Sequence, residues 1–268
     1  MTITDCIHKA KKIVIKIGSN TLAKENGMLD TEYLNDLSDQ CAALMSQGKQ
    51  IVIVSSGAQV AGVSTIDKWA RRKDIHYRQA LCAIGQVELM DRWRGAFARS
   101  NIHIGQILLT KEDFEDDTRT LNMRNTLFTL VDEGVVPIIN ENDSVTFREI
   151  RSIGDNDNLG ALTAILWSAD LLVLFSDIDG VYNRNPKESA DAELIPLVED
   201  VSVLRAGIDM GGTSSFGTGG IATKLEAAER VTSYGISMIL AHGRRPRALE
   251  ALAAGEQEGT LFLPGKDR

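Results

Sequence analysis

The chain has 268 residues, 37 of them acidic and 29 basic, for a formal charge of -8, and 43% are hydrophobic. Acidic balance with scattered basic residues excludes a broad electrostatic footprint for nucleic-acid backbones, and this composition excludes a disordered or fibrous chain. The length can bury one large core or two modest ones.

The longest apolar runs, residues 171–175 and 135–139, fall far short of the roughly 20 residues that a membrane-spanning helix needs, so no membrane association is expected. Met1-Thr2-Ile3-Thr4-Asp5 lacks the basic start and apolar stretch of a signal peptide. Cys6, Cys41 and Cys82 are an odd number without Cys-x-x-Cys spacing. They argue against a disulfide framework or a zinc site and fit a reducing cytoplasm. Cys41 and Cys82 fall in helical apolar patterns and read as core; Cys6 is expected to be more exposed.

In chain order, Lys12 to Gly18 is a β-branched run closed by glycine and predicts a first strand buried on both faces. A helix follows, capped by Asp30, with Leu34, Leu37, Cys41, Leu44 and Met45 at helical spacing and Gly48 at its end. Ile51 to Val54 repeats the buried-strand pattern and leads into the turn Ser55-Ser56-Gly57. Tyr77 to Arg99 predicts a long helix, Ile102 to Leu109 a strand, Thr118 to Glu133 a helix and Val135 to Asn140 a strand. Alternation from Ser144 to Ile153 suggests a small hairpin. Asn158 to Trp167 reads as helix, Leu171 to Phe175 as strand, Ile221 to Ser233 as helix, Ser237 to Ala241 as strand and Arg247 to Ala254 as helix. Strands alternating with helices predict an α/β fold: an open, mostly parallel sheet sandwiched by helices, in one domain over residues 1–268. Such sheets bind ligands beyond the C-terminal ends of their strands.

Polar residues cluster at four of those ends: Lys16-Ile17-Gly18-Ser19, Ser55-Ser56-Gly57-Ala58, Asn140-Glu141-Asn142-Asp143 and Ser176-Asp177. Any one alone reads as a turn with capping residues, but their shared position favours a site. Gly18 and Gly57 would let backbone N–H groups approach an oxyanion. A lysine inside an apolar strand, as Lys16 is, is costly to bury unless it meets an anion. Lys224 follows the glycine-rich stretch 211–220 and could reach back over a phosphate or simply sit in solvent on its helix. Gly154-Asp155-Asn156-Asp157-Asn158 is the most polar segment; it can cap the next helix, orient lysines, hold an ammonium or bind a metal, though its spacing is not that of an EF-hand Ca2+ loop. Neither G-x-G-x-x-G nor G-x-x-x-x-G-K-[ST] occurs, and the four histidines lie outside every cluster.

Lys16-Ile-Gly-Ser, Val54-Ser-Ser-Gly-Ala, Asn140-Glu-Asn-Asp-Ser-Val, Gly154-Asp-Asn-Asp-Asn-Leu, Ser176-Asp-Ile-Asp-Gly-Val-Tyr and Gly217-Thr-Gly-Gly-Ile-Ala-Thr-Lys occur in that order. Together they resemble the glutamate 5-kinase branch of the amino acid kinase family, with Ser176 standing where relatives often have threonine. The resemblance implies transfer of the γ-phosphoryl group of ATP, with Mg2+, to the side-chain carboxylate of L-glutamate in proline biosynthesis. It assigns catalysis to Lys16, Lys224 and Asp157, and substrate binding to Ser56, Gly57, Asp143 and Asn156. It assigns nucleotide binding to Lys16, Gly18, Ser176, Asp177, Thr218, Gly219, Gly220, Ile221, Ala222, Thr223 and Lys224, and names no direct metal ligand. It further implies inhibition by L-proline, hand-over of product to a glutamyl phosphate reductase, a homo-oligomer (dimer or tetramer), a cytoplasmic location and, for this length, no C-terminal PUA domain. A carboxylate acceptor is already ionised at neutral pH, so the absence of a motif histidine is chemically reasonable.

Overall fold

The computed structural model describes residues 1–66, 74–145, 156–186, 188–189, 191–210 and 220–265. In chain order they form α1 (Ile3–Lys9), β1 (Lys12–Ile17), α2 (Ser19–Leu22), α3 (Thr31–Ser46), β2 (Gln50–Ser55), α4 (Ala58–Ile66), α5 (Ile75–Ala98) and β3 (Ile104–Leu109). After a 3-10 turn at Lys111–Phe114 come α6 (Asp117–Asp132), β4 (Val136–Glu141), α7 (Asn156–Trp167), β5 (Leu171–Ser176), β6 (Leu197–Val198) and α8 (Val201–Met210). The last elements are α9 (Gly220–Ser233), β7 (Ser237–His242), α10 (Ala248–Ala254) and β8 (Thr260–Phe262).

Within the stretch Ile17–Asn156 the strand order is β3-β4-β2, and among the strands of the remainder it is β1-β5-β7-β8-β6. β2 with β4, β3 with β4, β5 with β7 and β6 with β8 pair in parallel, and β7 with β8 antiparallel. This is the expected α/β class with a mostly parallel sheet. Its strands are continuous apolar runs because both faces are covered: Ile13, Val14 and Ile15 in β1, Val52, Ile53 and Val54 in β2 and Leu172 through Phe175 in β5 are fully buried.

The chain divides into two compact units, Ile17–Asn156, and Met1–Lys16 with Asp157–Arg268. In the first, the side chain of Asp30 caps α3 by accepting from the Tyr33 N–H. α4 and α5 approach to backbone contact at two glycines. A Cβ on Gly62 would stand 1.9 Å from the Leu81 carbonyl oxygen, and one on Gly85 1.8 Å from that of Ala58. In the second unit, Trp167, Phe175 and Phe262 are fully buried. Thr260 Oγ1 accepts from the Val181 N–H and donates to the Ile195 carbonyl, both at 2.8 Å, tying the segment after β5 to β8.

Several elements differ from expectation. Asp74 caps α5 and starts it at Ile75, while Asn101, at φ 56°, delays β3 to Ile104. α7 begins at Asn156, so Asn156 and Asp157 lie in its first turn instead of ahead of it. α1, α2, α4, α8, β6 and β8 were not expected: α1, α2, β6 and β8 are short and α4 lacks an apolar period, whereas α8 has a clear one that was missed. Cys6 is buried at 6% exposure, because it lies on the inner face of the unforeseen α1 and its thiol meets Ser237. Beyond Ser144 and Val145 the expected hairpin lies outside the described residues, as does the glycine-rich stretch before Gly220.

Candidate active site

Asp157 carries two lysines. Its Oδ1 accepts from Lys16 Nζ at 2.5 Å, and its Oδ2 from Lys224 Nζ at 3.2 Å and from Thr223 Oγ1 at 2.9 Å. The exposures are 5% for Lys16, 2% for Asp157 and 9% for Lys224, which decides against solvated lysines. Each group comes from a different element: Lys16 from the C-terminal end of β1, Asp157 from the first turn of α7, Thr223 and Lys224 from the first turns of α9. Lys224 also donates to the Gly220 carbonyl at 3.0 Å, so its ammonium folds back along the start of its own helix. Burial works to raise the Asp157 carboxyl, but the charges of Lys16 and Lys224 and the hydrogen bonds prevail and hold it below the ordinary aspartate value. Among the described residues two ammonium groups thus share one carboxylate, an arrangement in which an anion is stabilised. Gly160 makes room for it: a Cβ there would lie 3.2 Å from Lys16 Cβ and 3.3 Å from Lys16 Cγ.

Gly18 caps the short α2, and Gly57 precedes α4 at φ 99°, a conformation that favours glycine. A Cβ on Gly57 would also meet Leu22 Cδ1 at 2.9 Å. At the end of β5, Ser176 is buried and its hydroxyl donates to Asp177 Oδ1 at 3.1 Å. Gly220, Ile221 and Ala222 form the opening turn of α9; Thr218 and Gly219 lie outside the described residues.

A second constellation lies within the unit Ile17–Asn156. Asn156 Nδ2 donates to Ser56 Oγ at 2.8 Å and to Asn140 Oδ1 at 3.1 Å. Ser56 Oγ therefore accepts, and its own proton can be donated onward. Asn140 Nδ2 in turn donates to Gln86 Oε1 at 2.9 Å. Asp143 follows β4 and lines a cavity of ≈ 410 Å³ with Cys82, Gln86, Met90, Leu108 and Asn142 among its walls. Burial raises the Asp143 carboxyl above its ordinary value, opposed by the Cys82 thiol, which donates to it, and by the charge of Arg78. The pairing moves Cys82 the other way: burial and the Asp143 charge push its thiol far up.

α5 thus carries three side chains that touch the ends of β2 and β4 or the turn after β4: Cys82 on Asp143, Gln86 on Asn140, and Trp93, whose indole N–H donates to Ser55 Oγ at 3.0 Å. None is among the site residues expected from sequence. The signal for Gln86 was a lone polar residue on a stripe that otherwise reads Leu81, Cys82, Gly85, Leu89, Trp93.

The profile of the Amino acid kinase family matches residues 11–242. A glutamate 5-kinase of Alkaliphilus metalliredigens is 58% identical over 264 residues, covering 98% of this chain and 100% of that one. That of Treponema pallidum (strain Nichols) is 49% identical, covering 95% and 97%. The chain belongs to the amino acid kinase family, in its glutamate 5-kinase branch. Among solved structures, a carbamate kinase from Giardia lamblia bound to AMP-PNP aligns with TM-score 0.68 at 14% identity, covering 95% of this chain and 99% of that one. A UMP kinase from Ureaplasma parvum aligns with TM-score 0.64 at 16% identity, with the same coverage. These two likenesses concern the fold.

Proposed function

We propose that this family member transfers the γ-phosphoryl group of ATP to the side-chain carboxylate of L-glutamate, giving γ-glutamyl 5-phosphate, the first step of proline biosynthesis. A carboxylate oxygen attacks the γ-phosphorus, the bond to the bridging oxygen breaks, and ADP leaves with that electron pair. No proton is transferred, so the protein's task is positioning and charge compensation. The observation that carries the reading is Asp157 gripping Lys16 and Lys224 through different oxygens. Held so, neither ammonium needs to reorganise as charge shifts from nucleophile to leaving group. Backbone N–H groups at Gly18 and Gly57 would add donors to the transferred phosphoryl group. Ser176, Asp177 and the 218–224 segment would hold the nucleotide.

Mg2+, which arrives on the nucleotide phosphates and keeps several waters, supplies further charge compensation when bound. Among the described residues no three Asp, Glu, His or Cys side chains converge into a cage. For the acceptor, Asp143 would take the α-ammonium and the Ser56 hydroxyl the α-carboxylate. With both amide hydrogens of Asn156 engaged, that residue would act by fixing Ser56 and by offering its carbonyl oxygen to the ammonium.

Feedback inhibition by L-proline in the Asp143 pocket, assembly into a dimer or tetramer, and delivery of product to a glutamyl phosphate reductase belong to the same reading. An acyl phosphate hydrolyses readily, which favours rapid consumption. A cytoplasmic location is part of the same reading; no described helix is long and apolar enough to cross a membrane. The test is formation of γ-glutamyl hydroxamate from ATP, Mg2+, L-glutamate and hydroxylamine, with N-acetylglutamate as the rival acceptor. Hydroxamate with L-glutamate supports the reading; none, or a preference for the N-acetylated acceptor that lacks an ammonium, sinks it.

A further inference from the structure

The Gln86 side chain has a polarity that its surroundings dictate. The backbone N–H of Glu141 can only donate, and it donates to Asn140 Oδ1 at 2.9 Å. The other Asn140 terminal atom is therefore the amide nitrogen, and the Gln86 atom facing it at 2.9 Å must be the carbonyl oxygen. Gln86 is left with Nε2, which is buried and has no hydrogen-bond partner among the described residues. A buried donor without a partner is costly, and native structures keep few of them without a reason. Gln86 lines the same cavity as Asp143. The cavity lining thus includes a residue with an unused N–H donor and one with a carboxylate, and a ligand that met both would carry an anion and a cation, as an α-amino acid does.

We propose that Gln86 is a substrate-binding and specificity residue, its Nε2 donating to the α-carboxylate of the acceptor amino acid while its Oε1 holds Asn140. The proposal rests on the reading of the Asp143 cavity as the acceptor pocket. Gln86 would then do two things at once. It orients the chain of hydrogen bonds through Asn140 and Asn156 to Ser56, and it contributes a donor that rewards a free α-carboxylate.

Gln86→Glu separates the two roles. It keeps the length of the side chain and an acceptor oxygen for Asn140, but replaces the NH2 donor by an oxygen that repels a carboxylate. The expected result is a KM for L-glutamate raised about tenfold or more, the size of effect that follows removal of one charge-assisted hydrogen bond, with kcat and the KM for ATP within about twofold of wild type. A glutamate KM equal to wild type would overturn the donor role. The second measurement uses 4-aminobutyrate, which is glutamate without its α-carboxylate, as a competing ligand. Gln86→Glu, and Gln86→Met should the first variant fold poorly, should weaken glutamate binding while changing 4-aminobutyrate binding far less. Equal weakening for both ligands would mean that Gln86 only shapes the pocket, and would also overturn the proposal. A wild-type protein that makes no hydroxamate from L-glutamate overturns the functional reading and this inference together; an active wild type with an indifferent Gln86 removes only the inference.

Discussion

At the scale of single residues, the centre turns on Asp157. Asp157→Asn keeps the shape and removes the charge that both lysines share, so turnover is expected to fall roughly 100-fold or more, as when a preorganised donor to developing charge is taken away. Lys16→Ala and Lys224→Ala should each cost a similar factor, because in the proposed reaction each would remove an ammonium that compensates the migrating charge. Initial hydroxamate rates check all three, and wild-type turnover in any of them would remove the role given to that residue. Stability follows a different rule. Asp157→Asn removes the carboxylate that the buried Lys16 and Lys224 share, and breaking a buried ion pair costs about 3–5 kcal/mol, read by urea unfolding. The sign of its pH dependence is fixed by the lowered Asp157 carboxyl. The stabilisation is complete above the ordinary aspartate value and is lost as pH falls through the lowered folded value. The stability gap between wild type and Asp157→Asn should therefore hold steady at neutral pH and close only in strong acid.

At the scale of elements, helix packing places the site. Gly62→Ala or Gly85→Ala would drive a methyl group into the carbonyl of the facing helix, at 1.9 and 1.8 Å. α4 and α5 would have to separate, at a cost of about 1–3 kcal/mol or more. Because α5 holds Cys82, Gln86 and Trp93 in register with Asp143, Asn140 and Ser55, both variants should lose affinity for glutamate along with urea resistance. Gly160→Ala is the gentler case. Alanine favours helix, yet its methyl would crowd the Lys16 stem, so turnover should drop several-fold with the melting temperature unchanged or raised; unaltered turnover would mean that Lys16 has room to give. These elements also show what was readable in advance. β1, β2, β4, β5 and β7 are continuous apolar runs ending in polar turns, so both the α/β class and the strand-end clusters could be read from residue order. α4 could not, since Ala58 to Ile66 has almost no polar face to give a period. Gln86 and Gly160 were hidden for another reason: their importance lies in what they face across long stretches of chain, Asn140 and Lys16, and periodicity reports only which side of an element a residue occupies.

For the molecule as a whole, a formal charge of -8 says little about a site that handles ATP and a dicarboxylate. What matters locally is that burial and neighbours push two carboxylates in opposite directions, Asp157 down and Asp143 up. The pH profile of the enzyme should display the second. Asp143 can hold an ammonium only when ionised, and its raised value keeps the acid form present above the pH range of an ordinary aspartate. In the free enzyme this places an acid limb in kcat/KM for glutamate: the constant should fall as pH drops through the raised value. In the complex the bound ammonium stabilises the carboxylate, so kcat at saturating glutamate should hold to lower pH. Asp143→Asn should raise the glutamate KM about tenfold or more and lose that limb, keeping only the descent set by ionisation of glutamate's own side chain near pH ~4.3. A full set of rates across the acid range decides it: an identical limb in wild type and Asp143→Asn would assign the titration to another group and take the ammonium away from Asp143.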